Sequence, residues 1–385
     1  MQQTEQKSHL FETYKRWELT FSHAEGCTVT DKEGKEYTDL MAGISVVNLG
    51  HGDPDVIKHV EKQLHAGWHG SNFFQYEQQE RAAELLTKLS GMDLVFFANS
   101  GTEANEAAIK CARKYTGRTK IQSFVQSFHG RTYGSMAATG QDAIHQGFGR
   151  MLEDFEYLPY NDVNALEKAV DENTAAIMLE PVQGEGGVIP GSPAFIQKAA
   201  ELARQHGALL IVDEVQTGLG RTGTMFAYEQ AGVSPDIVTT AKALGNGFPV
   251  GAMIGKGYLQ EAFGPGAHGS TFGGNPLAMA AVEGTLQKLM SINAPKMAAE
   301  KGRFFTNLLE EKIVSLPVVK EIRGPGLMIG IELTESAAPY VLAMQKKGFL
   351  LIAAGPNTLR LLPPLTIPYD DLGKAAAALR EVLEK

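Results

Sequence analysis

With 385 residues, 43% hydrophobic and 21% charged, the chain has material for a large buried core, and its length suggests two or three domains. A net charge of −9, with no basic run and no aromatic–basic interleaving, argues against nucleic acid or an anionic membrane surface as partner. Two cysteines are too few for a disulfide framework, the start MQQTEQKSH lacks a signal segment, and the longest apolar run, at 349–354, is far short of the roughly 18 residues that span a bilayer; a cytoplasmic protein is expected.

In chain order, the first clear strand is LVFFA at 94–98, which stops at Asn99-Ser100-Gly101 and leads into a helical pattern over 103–114. Ser100-Gly-Thr-Glu103 reads as a capping box. The commoner meaning of that pattern is a well-capped helix and nothing more. Its positive end, with the free N–H groups of Gly101 and Thr102, is also a seat for phosphate. AAIML at 175–179 stops at Glu180, passes through the glycine-rich Gly184-Glu-Gly-Gly187 and meets a helical pattern over 194–206. ALLIV at 208–212 stops at Asp213, IVTTA at 237–241 stops at Lys242, and VGAMI follows at 250–254.

Continuous apolar strands alternating with helices predict an α/β fold with a mostly parallel central sheet flanked by helices. Ligands bind outside the carboxyl ends of such strands, so Asn99, Glu180, Asp213 and Lys242 are expected at one edge. Beyond Gly324 the runs at 327–333, 349–354 and 359–362 predict a smaller α+β unit. The expected organisation is an N-terminal segment, 1–50, packing with the small domain, a large domain at 51–280, and a C-terminal small domain at 281–385.

Three motifs fail on inspection. LLIVDE at 209–214 has the form of a Walker-B strand, but no Gly-Lys pair is followed by Ser or Thr, which excludes the matching phosphate loop. Gly218-Leu-Gly-Arg-Thr-Gly223 matches a dinucleotide fingerprint, yet it neither follows its strand directly nor opens a helix. His65 and His69 are four apart, without a third ligand or an adjacent Glu, so no metal site is expected.

A lysine, a strand-end carboxylate and a phosphate seat have a joint chemical meaning. The amine forms a Schiff base with an aldehyde, and the carboxylate pairs with a pyridinium nitrogen to maintain an electron sink, which points to pyridoxal 5'-phosphate. The stretch from Leu209 to Gly247, with NSGTEANEAAIKCAR, SFHGRT, LEPVQGEGG and HGSTFGGNP, resembles the class III, or ω-amino-acid, aminotransferases of fold type I over nearly the whole chain.

The resemblance implies a pyridoxal-phosphate site and a role for each matching residue. Lys242 would bond to the cofactor aldehyde and Asp213 to the ring nitrogen, with Glu214 and Val215 beside it. Gln216 would contact the ring hydroxyl, Phe128 would stack on the ring, and His129 would lie nearby. Gly101 and Thr102 would bind phosphate, with Thr271 reaching in from a partner subunit of a homodimer. Ser270 would face substrate, Arg131 would grip the carboxylate remote from the reacting amine, and Tyr14 would sit near that end. Arg360 would pair with Glu185 until glutamate or 2-oxoglutarate arrives.

Within the family, SFHGRTYGSMAATGQ and AGPNTLRLLPPL most resemble the members that act on N-acetylornithine and 2-oxoglutarate. Ile44 stands where enzymes selecting a free α-amine carry an aromatic residue, which favours an acylated amine. Other ω-amine donors, and a non-catalytic scaffold of the same fold, are the alternatives.

Overall fold

The computed structural model describes residues 8–384. Its centre is a seven-stranded sheet in the order Leu94–Ala98, Gly251–Gly255, Ile237–Thr240, Leu209–Asp213, Thr174–Leu179, Lys120–Phe124, Phe155–Leu158. Every neighbouring pair is parallel except the two made by Gly251–Gly255, which runs against both of its neighbours. Thr174–Leu179, Leu209–Asp213 and Ile237–Thr240 are buried along their whole length, as strands covered on both faces must be. The expected α/β class with a mostly parallel sheet is what the chain adopts.

Helix Gly101–Thr116 packs on one face through Ala104, Ala107, Ala108, Cys111 and Ala112, small residues that let it lie close to the sheet. Helix Pro193–His206 covers the opposite face of the Thr174 and Leu209 strands through Phe195, Ile196, Ala199 and Leu202. Both helices end on glycine in the left-handed conformation, Gly117 and Gly207, which returns the chain to the sheet.

The C-terminal part carries an antiparallel sheet, Val319–Arg323, Ile329–Leu333, Thr358–Leu361 and Ile352–Ala354, in that order. The apolar run at 349–354 is not one strand. Phe349–Leu350 leaves it to pair in parallel with Glu36–Asp39, joining an N-terminal sheet. Helices Pro276–Ser291 and Ala294–Ile313 connect the central sheet to this part.

Candidate active site

The strand ends converge. A cavity of about 450 Å³ is lined by Asn99, Glu180, Asp213 and Lys242, together with Gly101, Thr102, Phe128, His129, Arg131, Glu185, Val215 and Gln216. Lys242 follows the strand Ile237–Thr240 by two residues and opens a short 3-10 turn with φ +42°. A left-handed lysine is uncommon and is tolerated where the surroundings fix it, typically at functional sites. Burial lowers its amine below the ordinary value, although Glu185, Asp213 and Glu180 pull the other way. The outcome is an amine readier to act as a nucleophile.

Asp213 is held from several sides. Its Oδ2 accepts from Asn105 Nδ2 at 2.8 Å and lies 2.7 Å from His129 Nδ1, and its Oδ1 accepts from the Val215 N–H at 3.0 Å. Burial opposes a charge on His129, but the hydrogen bond and charge of Asp213, with Glu180, raise its pKa overall. His129 Nε2 is buried with no partner among the described residues, a polar atom awaiting a contact.

Glu180 closes this group. Burial raises its pKa, and its carboxyl accepts from the N–H groups of Phe128 and Gly184 at 3.0 and 3.3 Å.

The helix end at Gly101 differs from the expected capping box. Ser100 Oγ accepts from the Glu103 N–H at 3.3 Å, but Glu103 Oε2 reaches past Ser100 to the N–H of Asn99 at 2.7 Å and its Nδ2 at 2.8 Å. The box is displaced by one residue, with the backbone and side-chain N–H groups of Asn99 converging on one carboxylate oxygen. Among the described residues no acceptor takes the N–H groups of Gly101 and Thr102, which remain available to an anion. Gly101 is also required by packing, since a Cβ there would lie 2.8 Å from Val215 Cγ1.

At the other end of the cavity, Arg360 is 1% exposed and bidentate to Glu185, Nη1–Oε1 2.7 Å and Nη2–Oε2 3.0 Å. Gln216 bridges the pair, accepting from Arg360 Nη1 at 2.9 Å and donating to Glu185 Oε1 at 3.1 Å. Burial would raise the Glu185 carboxyl, yet Arg360, Lys242 and Gln216 hold it down at about 2. Arg131 is the opposite case. Its guanidinium is exposed over the Phe128 ring, 5.7 Å from the centroid, with no ion pair among the described residues.

Besides Arg360, which meets the cavity wall through Glu185 and Gln216, four expected residues do not line the cavity of the single chain. Glu214 turns away to accept from Thr217 Oγ1 at 2.5 Å and the Tyr228 N–H at 2.9 Å, and burial raises its pKa to about 7. Ser270 binds Asn99 Nδ2 at 3.1 Å from outside the rim. Thr271 and Tyr14 are exposed.

Two contributors escaped the sequence reading. Asn105 holds Asp213 from the helix opposite, and its only signal is a polar residue on an alanine-rich buried face. Arg221, inside the rejected glycine motif, is fully buried and donates to Ser45 Oγ, Asn48 Oδ1 and the carbonyls of Leu327 and Pro363. It ties down the turn 42–45, where Ala42, Gly43, Ile44 and Ser45 all have positive φ. Sustained left-handed backbone costs roughly 1–2 kcal/mol per non-glycine residue and must be held by its surroundings. Ser45 Oγ donates in turn to the Gln216 carbonyl at 3.1 Å, linking that turn to the cavity wall.

The donor set fits one kind of guest. It needs an anionic head for the helix end, an electron-poor ring whose nitrogen meets a carboxylate, a flat face for Phe128, and a carbonyl for an amine. Among the described residues no cluster of His, Cys, Asp and Glu could hold a metal ion, and no helix is long and apolar enough to cross a membrane.

Comparison with known proteins agrees with that chemistry. The family model described as aminotransferase class-III matches residues 12–383. The acetylornithine aminotransferases of Listeria innocua and Bacillus subtilis are 53% and 54% identical to this chain, each alignment covering 98% of both proteins. Among solved structures, an ornithine aminotransferase from Toxoplasma gondii, with pyridoxal phosphate at partial occupancy in its active site, superposes with TM-score 0.94 at 32% identity. That match covers 98% of this chain and 92% of the other. An acetylornithine aminotransferase from Elizabethkingia anophelis superposes with TM-score 0.87 at 31% identity, covering 97% and 96%.

Proposed function

The chain belongs to the class III aminotransferases, and from that premise we propose that it moves the terminal amino group of N2-acetyl-L-ornithine to 2-oxoglutarate. The products are N-acetyl-L-glutamate 5-semialdehyde and L-glutamate, a step of arginine biosynthesis. It is a pyridoxal-phosphate-dependent transaminase.

When bound, pyridoxal phosphate supplies an aldehyde for amines and a pyridinium ring that withdraws electrons from the carbon losing its proton. Lys242 would hold the aldehyde and Asp213 the ring nitrogen, with His129 and Asn105 keeping the carboxylate in place. Gly101 and Thr102 would take the phosphate, and Phe128 and Val215 would flank the ring. Lys242 Nζ would also be the base that takes the proton from the substrate carbon bearing the reacting amine.

The observation that carries the substrate assignment is the contrast between the two arginines. Arg131, without an ion pair among the described residues, would meet a carboxylate that every substrate brings. Arg360 is neutralised by Glu185, which suits a donor whose reacting carbon carries no carboxylate. Glutamate does carry one there, and would displace Glu185 to reach Arg360. Ile44, packed with Val182, Val188, Met328 and Leu362, offers no partner to a charged α-ammonium. An acylated α-amine avoids that cost.

The enzyme would work as a homodimer in the cytoplasm. Trp68, Phe73, Phe74 and Phe272 form an exposed aromatic surface beside Thr271, and Asn72 Nδ2 bonds the Ser270 and Gly273 carbonyls there. Such a surface calls for a partner. In a dimer Thr271 would complete the phosphate seat of the neighbouring subunit.

A donor panel with 2-oxoglutarate tests the assignment. N-acetylornithine should exceed ornithine, 4-aminobutyrate and succinyldiaminopimelate in kcat/KM. A preference for free ornithine would overturn it.

A further inference from the structure

Helix Tyr133–Ala138 begins two residues after Arg131, and its cap residue, Thr132, makes no capping bond with its own side chain. Two of the first-turn N–H groups are satisfied instead from another helix. Glu106 Oε1 accepts from the N–H of Gly134 at 2.8 Å and of Ser135 at 3.1 Å, and from Thr132 Oγ1 at 2.5 Å.

Glu106 stands four residues after Thr102, so helical geometry puts the two on one face of Gly101–Thr116. Thr102 Oγ1 accepts from the N–H groups of Arg131 and Thr132 at 3.2 and 3.3 Å and lies 2.8 Å from Thr132 Oγ1. Each hydroxyl has one proton to give. That of Thr132 is committed to Glu106, so Thr102 donates across the 2.8 Å contact. Ser135 Oγ adds a bond to the Thr102 carbonyl at 2.9 Å.

The turn lies too close to the helix for side chains. A Cβ on Gly130 would come within 2.2 Å of Thr102 Oγ1, and one on Gly134 within 2.2 Å of Glu106 Oε2. Arg131 is thereby anchored through its backbone, while its guanidinium makes no ion pair among the described residues. Where that guanidinium can reach is set by the turn.

We propose that Glu106 is a positioning residue that locks the 131–135 turn to the helix end at Thr102 and so fixes Arg131 for substrate carboxylates. This rests on the reading of Arg131 given above. Its consequence is selective, because Glu106 matters for donors with a remote carboxylate and not for amines without one.

The test compares two donors of the same chain length, δ-aminovalerate and n-pentylamine, in single-turnover half-reactions of the holoenzyme. In Glu106→Ala the efficiency with δ-aminovalerate should fall roughly 10- to 100-fold, the scale of an ångström-sized misplacement. With n-pentylamine it should stay within about twofold of the parent. Glu106→Gln keeps an acceptor oxygen and should recover most of the loss. Thr132→Val removes only the hydroxyl links, so it should show the same selectivity with a smaller loss, and it decides the matter if Glu106→Ala does not fold.

Equal losses with both donors, or no loss with δ-aminovalerate, would overturn the role of Glu106 alone. Parent enzyme that does not distinguish the donors, or Arg131→Ala that leaves their ratio unchanged, would overturn the reading of Arg131 and this proposal with it.

Discussion

Replacing Glu185 by Ala should damage one half of the reaction and spare the other. Glu185 is the counter-ion of Arg360, which is 1% exposed and, among the described residues, keeps only Gln216 on its Nη1 once the carboxylate is gone. A carboxyl lowered from 4.5 to about 2 corresponds to about 3 kcal/mol of interaction. Two charge-assisted bonds of about 1.5–3 kcal/mol each, less the cost of desolvating both groups, give the same scale. The half-reaction with N-acetylornithine leaves Arg360 without a partner and should slow roughly 10- to 150-fold, the equivalent of about 1.4–3 kcal/mol. In the glutamate half-reaction the substrate's own carboxylate takes the vacated place, so its rate should hold or rise. Stopped-flow spectra of each half-reaction, recorded separately, measure both. A uniform slowing would refute the account of Glu185 as a displaceable counter-ion.

Further outcomes follow from the same geometry. Asp213→Asn should lower turnover by roughly 10²–10³-fold, the usual scale for losing one preorganised electrostatic contact, while cofactor content falls little; parallel losses in kcat and in bound cofactor absorbance would make Asp213 merely structural. Glu214 predicts a pH-dependent stability. Its folded pKa of about 7 lies above the ordinary 4.5, so its contribution is intact below pH 4.5 and is lost as pH rises through 7, up to about 3 kcal/mol. Glu214→Gln should therefore unfold at higher temperature than the parent at pH 8 and at nearly the same temperature at pH 5, and a difference independent of pH in thermal melts would contradict this.

The sequence made the site legible where chemistry terminates a plain apolar strand. Asp213 and Lys242 follow fully buried runs, and a charge at the end of such a run has few uses other than a site. The strand Lys120–Phe124 was hidden by its polar content. Gln122 and Ser123 are buried in it, Gln122 Nε2 donating to Glu156 and the Ala169 carbonyl and Ser123 Oγ to the Ala138 carbonyl, partners distant in sequence.

The reversed direction of Gly251–Gly255 leaves no trace in an apolar pattern, because strand direction changes pairing and not burial. The splitting of 349–354 between two sheets is equally silent. The turn at 42–45 was illegible for another reason. Ala, Ile and Ser carry no preference for positive φ, and the turn is held by Asp39 at Ala42 and, at Ser45, by Arg221, more than 170 residues away in sequence.

Lys242 is the residue expected to attach the cofactor. Borohydride reduction of the purified enzyme, followed by peptide mapping, tests it most directly. The reduced pyridoxyl group should be found on the peptide containing Lys242 and on no other, and Lys242→Ala should give no reducible bond while still retaining some cofactor through Gly101 and Thr102. A pyridoxyl group on any other lysine, or on none in enzyme that transaminates, would contradict it.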